Sequence, residues 1–168
     1  MFEFYVPNRL SDYNRFKIYD SMRHEPARVW IMPLFMAIFA GITVIAGSWA
    51  FAAVCLVLGA VFPLITYLMA RTSGKSLLKE RPDYEKGGTN YRIERTHFYV
   101  WQKDENPLPI KYTDLYCAVQ TKDSFYLYDT KETCFIISKE FMKEQDAVIF
   151  GRILEINLQS YRKYSNKS

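Results

Sequence analysis

The feature that most constrains this sequence is a run of 42 residues, 29–70, that contains no charged side chain. Of these 42 residues, 34 are hydrophobic. As a single helix, the run would be about 63 Å long, roughly twice the hydrocarbon thickness of a bilayer. We therefore expect a transmembrane hairpin of two helices, near 30–46 and 50–70, with its turn at Gly47-Ser48.

The net charge of +4 is concentrated beside this run. Lys and Arg outnumber Asp and Glu by five to four in residues 1–28 and by four to one in 71–82, whereas 83–168 contain thirteen of each. Because positive residues stay on the cytoplasmic side of a membrane, both termini are predicted to be cytoplasmic. The four basic residues after the run are predicted to contact anionic lipid: Arg71, Lys75, Lys79 and Arg81. The neutral remainder gives no reason to expect nucleic acid as a partner.

The N-terminal residues are expected to be structured. Phe2 to Val6 has the alternation of a short strand, and Ser11 with Asp12 can cap an amphipathic helix. Two placements of that helix remain open, one at the bilayer surface and one against the C-terminal domain. We therefore divide the chain into an N-terminal strand and helix (1–28), the hairpin (29–70), a basic linker (71–88) and a C-terminal domain (89–168).

The C-terminal domain shows short runs in which apolar residues recur at every second position. The breaks between these runs are short and polar, which is typical of an antiparallel meander. A helical stripe follows, with Ala147, Phe150, Leu154, Leu158 and Tyr161 at spacings of three and four. The predicted fold class is thus an α+β membrane protein, in which an antiparallel β domain with a C-terminal α-helix resembles a pleckstrin-homology-like (PH-like) domain.

Three stretches of this domain carry a more specific resemblance. They read Ile110-Lys-Tyr-Thr-Asp-Leu115, Thr121-Lys-Asp-Ser-Phe-Tyr-Leu-Tyr128 and Cys134-Phe-Ile-Ile-Ser-Lys-Glu-Phe141. With the preceding hairpin, they resemble the YcxB-like family, although Ser138-Lys139 stands where that family tends to have Pro-Lys. The resemblance implies a bacterial plasma-membrane protein with two spans and a C-terminal PH-like domain.

The side chains of catalytic and metal sites are scarce in this sequence. It has two histidines, His24 and His97, and Cys117 and Cys134 lie in apolar runs without metal-ligand spacing. Recognised hydrolase, metalloprotease and nucleotide-binding motifs are missing. We therefore expect no enzymatic activity, no metal and no cofactor.

Four aromatic residues of the C-terminal domain, Tyr99, Trp101, Tyr126 and Tyr128, are the candidate partner surface. A protein or peptide partner would bury such rings, although they could equally cover a second core or the membrane surface. The leading hypothesis is a non-enzymatic membrane-anchored module whose PH-like domain binds a protein or peptide partner, or lipid, at the cytoplasmic face of the membrane.

Two rival hypotheses belong to other functional classes. One is a self-protection or membrane-stress factor that blocks a membrane-active peptide. The other is a pore or transporter subunit made by homo-oligomeric hairpins. The pore ranks last, because only Thr43, Ser48 and Thr66 could supply a polar face and the run contains no ionisable group.

Overall fold

Residues 1–24, 26–103 and 105–163 are described in the computed structural model of the chain. The chain divides into two compact units. The β unit combines Met1–Asp12 with Pro82–Ser168, and the helical unit is Tyr13–Arg81. The helical unit is therefore inserted, along the chain, between the first strand of the β unit and all of its other strands.

The described residues form four α-helices and eight strands. The helices are α1 Leu10–Tyr19, α2 Pro26–Ile45, α3 Trp49–Glu80 and α4 Glu144–Asn157. The strands are β1 Phe2–Pro7, β2 Gly88–Ile93, β3 His97–Trp101, β4 Leu108–Lys111, β5 Cys117–Gln120, β6 Ser124–Tyr128, β7 Cys134–Ser138 and β8 Tyr161–Lys163.

The strands of the β unit form two four-stranded sheets. The first has the order β1-β2-β3-β4 and is antiparallel throughout. The second has the order β7-β6-β5-β8, in which β5, β6 and β7 are antiparallel and β8 runs parallel to β5. The predicted α+β class, the antiparallel sheets and the C-terminal helix are confirmed. The N-terminal strand is also confirmed, and it pairs with β2 from Phe2 opposite Ile93 to Pro7 opposite Gly88.

The core of the β unit is rich in aromatic side chains that come from both sheets and from α4. Phe98 stacks on Tyr112 with 5.7 Å between ring centroids, and Phe125 meets Phe150 of α4 at 4.9 Å. All four rings are completely buried. The Tyr112 hydroxyl donates a hydrogen bond of 3.1 Å to the Glu94 carbonyl, so its polar atom is satisfied inside the core. Burial raises the pKa of Tyr112 well above its usual range.

The predicted helical stripe was wrong at its C-terminal end. It was expected to reach Tyr161, but α4 ends at Asn157 and Tyr161 lies on β8. The Asn157 amide donates to the carbonyls of Ile153 and Arg95, which ties the end of the helix to the β2–β3 turn. Ser160 then donates a 3.0 Å hydrogen bond to the Tyr116 carbonyl, at the position where the chain returns to β5.

The predicted basic linker also differs from the structure, because its first ten residues, 71–80, are helical and belong to α3. Gly74 is the weakest helix former there, and one glycine costs about 1 kcal/mol in a helix. Its backbone N–H donates a 2.8 Å hydrogen bond to the Asn14 side chain. The helix ends at Glu80, and the backbone N–H of Arg81 still donates to the Leu77 carbonyl.

The helical unit packs α2 against α3 across a tight turn at residues 46–48. Gly47 has a φ of 79°, a left-handed conformation that favours glycine, and the Ser48 N–H donates 2.8 Å to the Thr43 carbonyl. Farther along the pair, a Cβ on Gly59 would lie 3.1 Å from that of Met36, so α3 approaches α2 closely at this position.

Among the described residues, one helix is long and apolar enough to cross a membrane, namely α3. The apolar part of α2, Val29–Ile45, is shorter. The break between the two predicted helices is confirmed, whereas two membrane spans remain a prediction.

Candidate interaction surfaces

Two of the four predicted aromatic residues lie on the outer face of the first sheet. On β3, Phe98 points into the core, and Tyr99 and Trp101 project from the opposite side at half-buried positions. The Arg92 guanidinium carbon on β2 lies 5.7 Å from the ring centroids of both residues. This arrangement places one cation over two aromatic rings.

An acidic group from the N-terminal strand completes this cluster. Glu3 is directly opposite Arg92 in the β1–β2 register, and its carboxylate accepts a hydrogen bond from the Arg92 Nε. Tyr5 follows on the same face of β1 and is about half exposed. We call these five residues the Arg92 face: Glu3, Tyr5, Arg92, Tyr99 and Trp101.

The position of Tyr5 depends on a glycine in the adjacent strand. The Tyr5 ring lies so close to Gly88 on β2 that a Cβ at this position would overlap the ring and its hydroxyl. Only glycine therefore lets this tyrosine lie against β2, where it extends the aromatic surface toward the edge of the sheet.

The composition of the Arg92 face is typical of protein-binding surfaces. Arginine, tyrosine and tryptophan are the residue types most enriched at the energetic centres of interfaces. The Arg92 guanidinium contacts the Glu3 carboxylate and lies near two aromatic rings, so one side chain connects the acidic and the aromatic parts of this face.

The other two predicted aromatic residues are not exposed. Tyr126 and Tyr128 lie on β6, where they are 3% and 1% exposed, and all five residues of this strand are buried. Burial raises the pKa of Tyr126 to about 12. The expectation that all four rings share one exposed face is therefore corrected, because Tyr126 and Tyr128 belong to the second sheet and are inaccessible to a partner in this structure.

The predicted lipid-contacting residues lie at the end of α3. Arg71, Lys75 and Lys79 are exposed and recur at every fourth position, which places them along one side of the helix. Arg81 follows immediately after the helix. We call these four residues the basic end of α3. Their contact with lipid remains a prediction.

Residues with metal-binding or redox chemistry do not gather into a site in the described part of the chain. No group of three His, Cys, Asp or Glu side chains there is placed to hold a metal ion. The three cysteines are free, with Cys55 and Cys117 buried and Cys134 half-buried.

Sequence reasoning missed Glu3 and Arg92, which hold the Arg92 face together. The two residues are 89 positions apart, and only the pairing of β1 with β2 brings them into contact. The available signal was the period-two alternation in both segments, which predicts strands without saying which strands pair.

Comparison with known families agrees with the resemblance noted in the sequence. Residues 97–154 match the family model described as YcxB-like protein. This segment of the chain is YcxB-like. It covers about a third of the chain, from the first residue of β3 into α4. The YcxB-like segment contains Tyr99 and Trp101, whereas Glu3, Arg92 and the basic end of α3 lie outside it. No curated protein and no solved structure matches the chain.

Proposed function

We propose that this protein is a non-enzymatic, membrane-anchored interaction module of the bacterial plasma membrane. In this proposal, α2 and α3 form a two-span hairpin with both chain termini on the cytoplasmic side. The β unit is a PH-like domain that binds a protein or peptide partner at the cytoplasmic membrane face. The Arg92 face is the candidate contact surface.

The observation that carries the proposal is the apolar surface of the helical unit. Leu34 and Phe35 on α2 are 62% and 55% exposed, and Phe51 on α3 is 62% exposed. The same exposure extends along both helices, at Trp30, Ile31, Ile38, Phe39, Ile42, Trp49, Val54, Leu56, Val57, Leu58, Leu64, Ile65, Leu68 and Met69. Soluble monomers rarely expose an apolar patch larger than a few hundred Å². Hydrocarbon is the solvent that suits this surface.

The helix lengths fit this placement. A span needs about 17 to 25 residues, and α2 has 20 residues with an apolar part of the minimum length. The 32 residues of α3 extend about 48 Å, so about 18 Å of this helix would project beyond a 30 Å hydrocarbon layer. The projecting part would be the basic end, where Arg71, Lys75 and Lys79 can meet anionic headgroups.

The topology of the β unit supports the PH-like assignment. The strands β2 to β4 form an antiparallel meander that β1 extends to four strands, and the antiparallel strands β5 to β7 follow. The helix α4 then packs its apolar side into the core, before the short strand β8. Its net charge beyond residue 82 is zero, which does not favour phosphoinositide, because a phosphate site needs a cluster of basic side chains. A protein or peptide ligand is therefore the preferred class.

The hairpin offers little support for a pore. The Thr43 hydroxyl donates 2.9 Å to the Ala40 carbonyl, and the Thr66 hydroxyl donates 3.0 Å to the Phe62 carbonyl. Both hydroxyls are thus satisfied by their own helices, as is common for threonine in apolar helices. An anchor needs no polar face.

Membrane extraction and site-directed crosslinking test the proposal together. The chain should stay in the membrane pellet after an alkaline carbonate wash and be released by detergent. A photoreactive phenylalanine at Trp101 should form a discrete adduct in intact membranes, and Arg92→Ala should abolish it. The matched control is the same photoreactive residue at Ile156, an exposed apolar position on α4 outside the Arg92 face. Release by carbonate would refute the anchor, and identical adducts from both positions would refute the binding surface.

A further inference from the structure

The outer edge of β5 is occupied by a segment of the chain itself. β8 contains only three residues and pairs in parallel with β5, with Ala118 opposite Tyr161 and Gln120 opposite the last residue of β8. It is the only parallel pair among the described strands. Extended peptides bind to other proteins in the same way, by adding a strand to an exposed sheet edge.

A notch beside this edge holds the Tyr161 side chain. The ring packs against the core of the β unit, and its hydroxyl donates a hydrogen bond to the Gln120 side-chain oxygen. On α4, a Cβ added to Gly151 would lie 2.8 Å from that Gln120 oxygen and 3.4 Å from the Tyr161 hydroxyl. Gly151 therefore leaves the space in which the tyrosine and glutamine side chains meet.

The Tyr161 hydroxyl carries its proton at physiological pH, as any phenol does, and burial raises the pKa of this side chain further, to about 12. The Gln120 side-chain oxygen in the notch accepts a hydrogen bond from a tyrosine hydroxyl. A ligand that lacks the hydroxyl cannot make this hydrogen bond, and a net loss of about 1 kcal/mol for one such bond corresponds to a several-fold to tenfold weaker affinity.

We propose that the edge of β5 and the Gly151 notch form a peptide-binding site, which takes an extended segment parallel to β5 with a tyrosine in the notch. In this structure Tyr161–Lys163 occupy the site in cis. The ligand class is an extended, tyrosine-containing peptide from a partner protein. The inference deepens the proposed function and rests on the β unit being an interaction module.

A peptide from another protein must compete with Tyr161–Lys163 for this site. A segment tethered by a few residues is present at an effective concentration on the order of millimolar, so a free peptide must compete with it. Replacing Tyr161 by alanine removes the side chain that fills the notch and leaves the β5 edge and Gly151 unchanged. This variant should therefore bind the peptide more tightly than the unmodified chain does.

The test uses the full chain in detergent micelles and a fluorescent peptide of residues 158–165. By fluorescence anisotropy, Tyr161→Ala should bind this peptide about tenfold or more tightly than the unmodified chain does. The peptide that carries Tyr161→Phe should bind Tyr161→Ala about tenfold more weakly, and this preference should disappear when Gln120→Ala is added. Ile156→Ala, on the exposed side of α4, is the matched control and should bind no better than the unmodified chain.

Equal binding by the unmodified chain and Tyr161→Ala would overturn the inference, as would equal affinity of the tyrosine and phenylalanine peptides for Tyr161→Ala. If circular dichroism shows that Tyr161→Ala is unfolded, Tyr161→Phe replaces it. That variant keeps the ring and loses only the hydrogen bond, so it should still bind the tyrosine peptide more tightly than the unmodified chain.

The outcome can be separated from the test of the proposed function. The peptide assay in micelles does not depend on membrane orientation or on the Arg92 face. A chain that resists carbonate and crosslinks through Trp101 but binds no peptide would refute the β5 site alone. A chain that binds the peptide but is released by carbonate would refute the anchor alone.

Discussion

Spin labels along the basic end of α3 should report a steady increase in distance from the hydrocarbon layer. The labels replace Arg71, Lys75 and Lys79 one at a time in a chain whose native cysteines have been removed. Each step of four helical residues is about 6 Å along the axis, and an average tilt of 20° shortens it only slightly. The label at 79 should therefore lie about 11 Å farther from the hydrocarbon than the label at 71.

The assay is power saturation of the electron paramagnetic resonance signal with oxygen and a water-soluble nickel chelate as relaxing agents. A label at Val57, exposed in the apolar part of α3, is the hydrocarbon reference, and a label at Asp123, exposed in the β5–β6 turn, is the aqueous reference. Accessibility to the nickel chelate should increase in the order 57, 71, 75, 79, 123. Equal accessibility at 71, 75 and 79 would contradict a helix that continues to Glu80, because it would indicate a flexible linker.

Three further predictions concern the β unit, all measured by chemical or thermal unfolding in micelles. Arg92→Ala should lower the free energy of unfolding by about 1 to 2 kcal/mol, because it removes both the ion pair and the contacts with two rings. A double-mutant cycle with Glu3→Ala should give a coupling of about 0.5 kcal/mol, and a coupling of zero would contradict the ion pair between these two side chains. Phe150→Ala should lower the free energy of unfolding by about 3 to 5 kcal/mol, and Phe150→Leu should lower it clearly less, because the ring fills the centre of the core. Equal losses of stability in the two variants would contradict that packing. The free energy of unfolding should fall as the pH rises from 10 toward 12, because Tyr126 ionises near pH 10 in the unfolded chain while burial holds its folded pKa near 12. Tyr126→Phe should make this fall shallower. An unchanged slope would contradict the burial of this hydroxyl.

The sequence predicted those elements that have a local signal. The small residues at 47 and 48 predicted the break between α2 and α3. A tight turn with a left-handed backbone favours glycine, so such a turn can be recognised from its own residues. The period-two runs likewise predicted an antiparallel meander, since each strand and its turn are encoded within about ten residues. The partner of β1 could not be predicted, because its pairing with β2 crosses the whole helical unit.

The errors have three physical causes. Residues 71–80 are mostly polar and were interpreted as a linker, although most of these residue types are tolerated in a helix and Gly74 costs only about 1 kcal/mol. Tyr161 fits the stripe of α4 by spacing, but tertiary hydrogen bonds from Asn157 and Ser160 end the helix earlier. Tyr126 and Tyr128 alternate with apolar residues, a pattern that predicts a strand with one exposed face. Both faces of β6 are nevertheless buried.

The same comparison explains which parts of the candidate site were predictable. Tyr99 and Trp101 were found because aromatic residues on the polar side of a strand are conspicuous in the sequence. Nothing in the sequence distinguishes Arg92 and Glu3 from other charged residues, because their contact depends on the register between β1 and β2. The Gly151 notch depends on a contact between α4 and β8, and no spacing in the chain indicates it.

The most direct test of the anchored module is the accessibility of Ser48→Cys, in the α2–α3 turn, to a membrane-impermeant maleimide in intact cells. The paired site is Asp123→Cys in the β unit, and the native cysteines are removed from both chains. Ser48→Cys should be labelled from outside in intact cells, and Asp123→Cys should be labelled only after permeabilisation. Labelling of Ser48→Cys only after permeabilisation would contradict the two-span anchor.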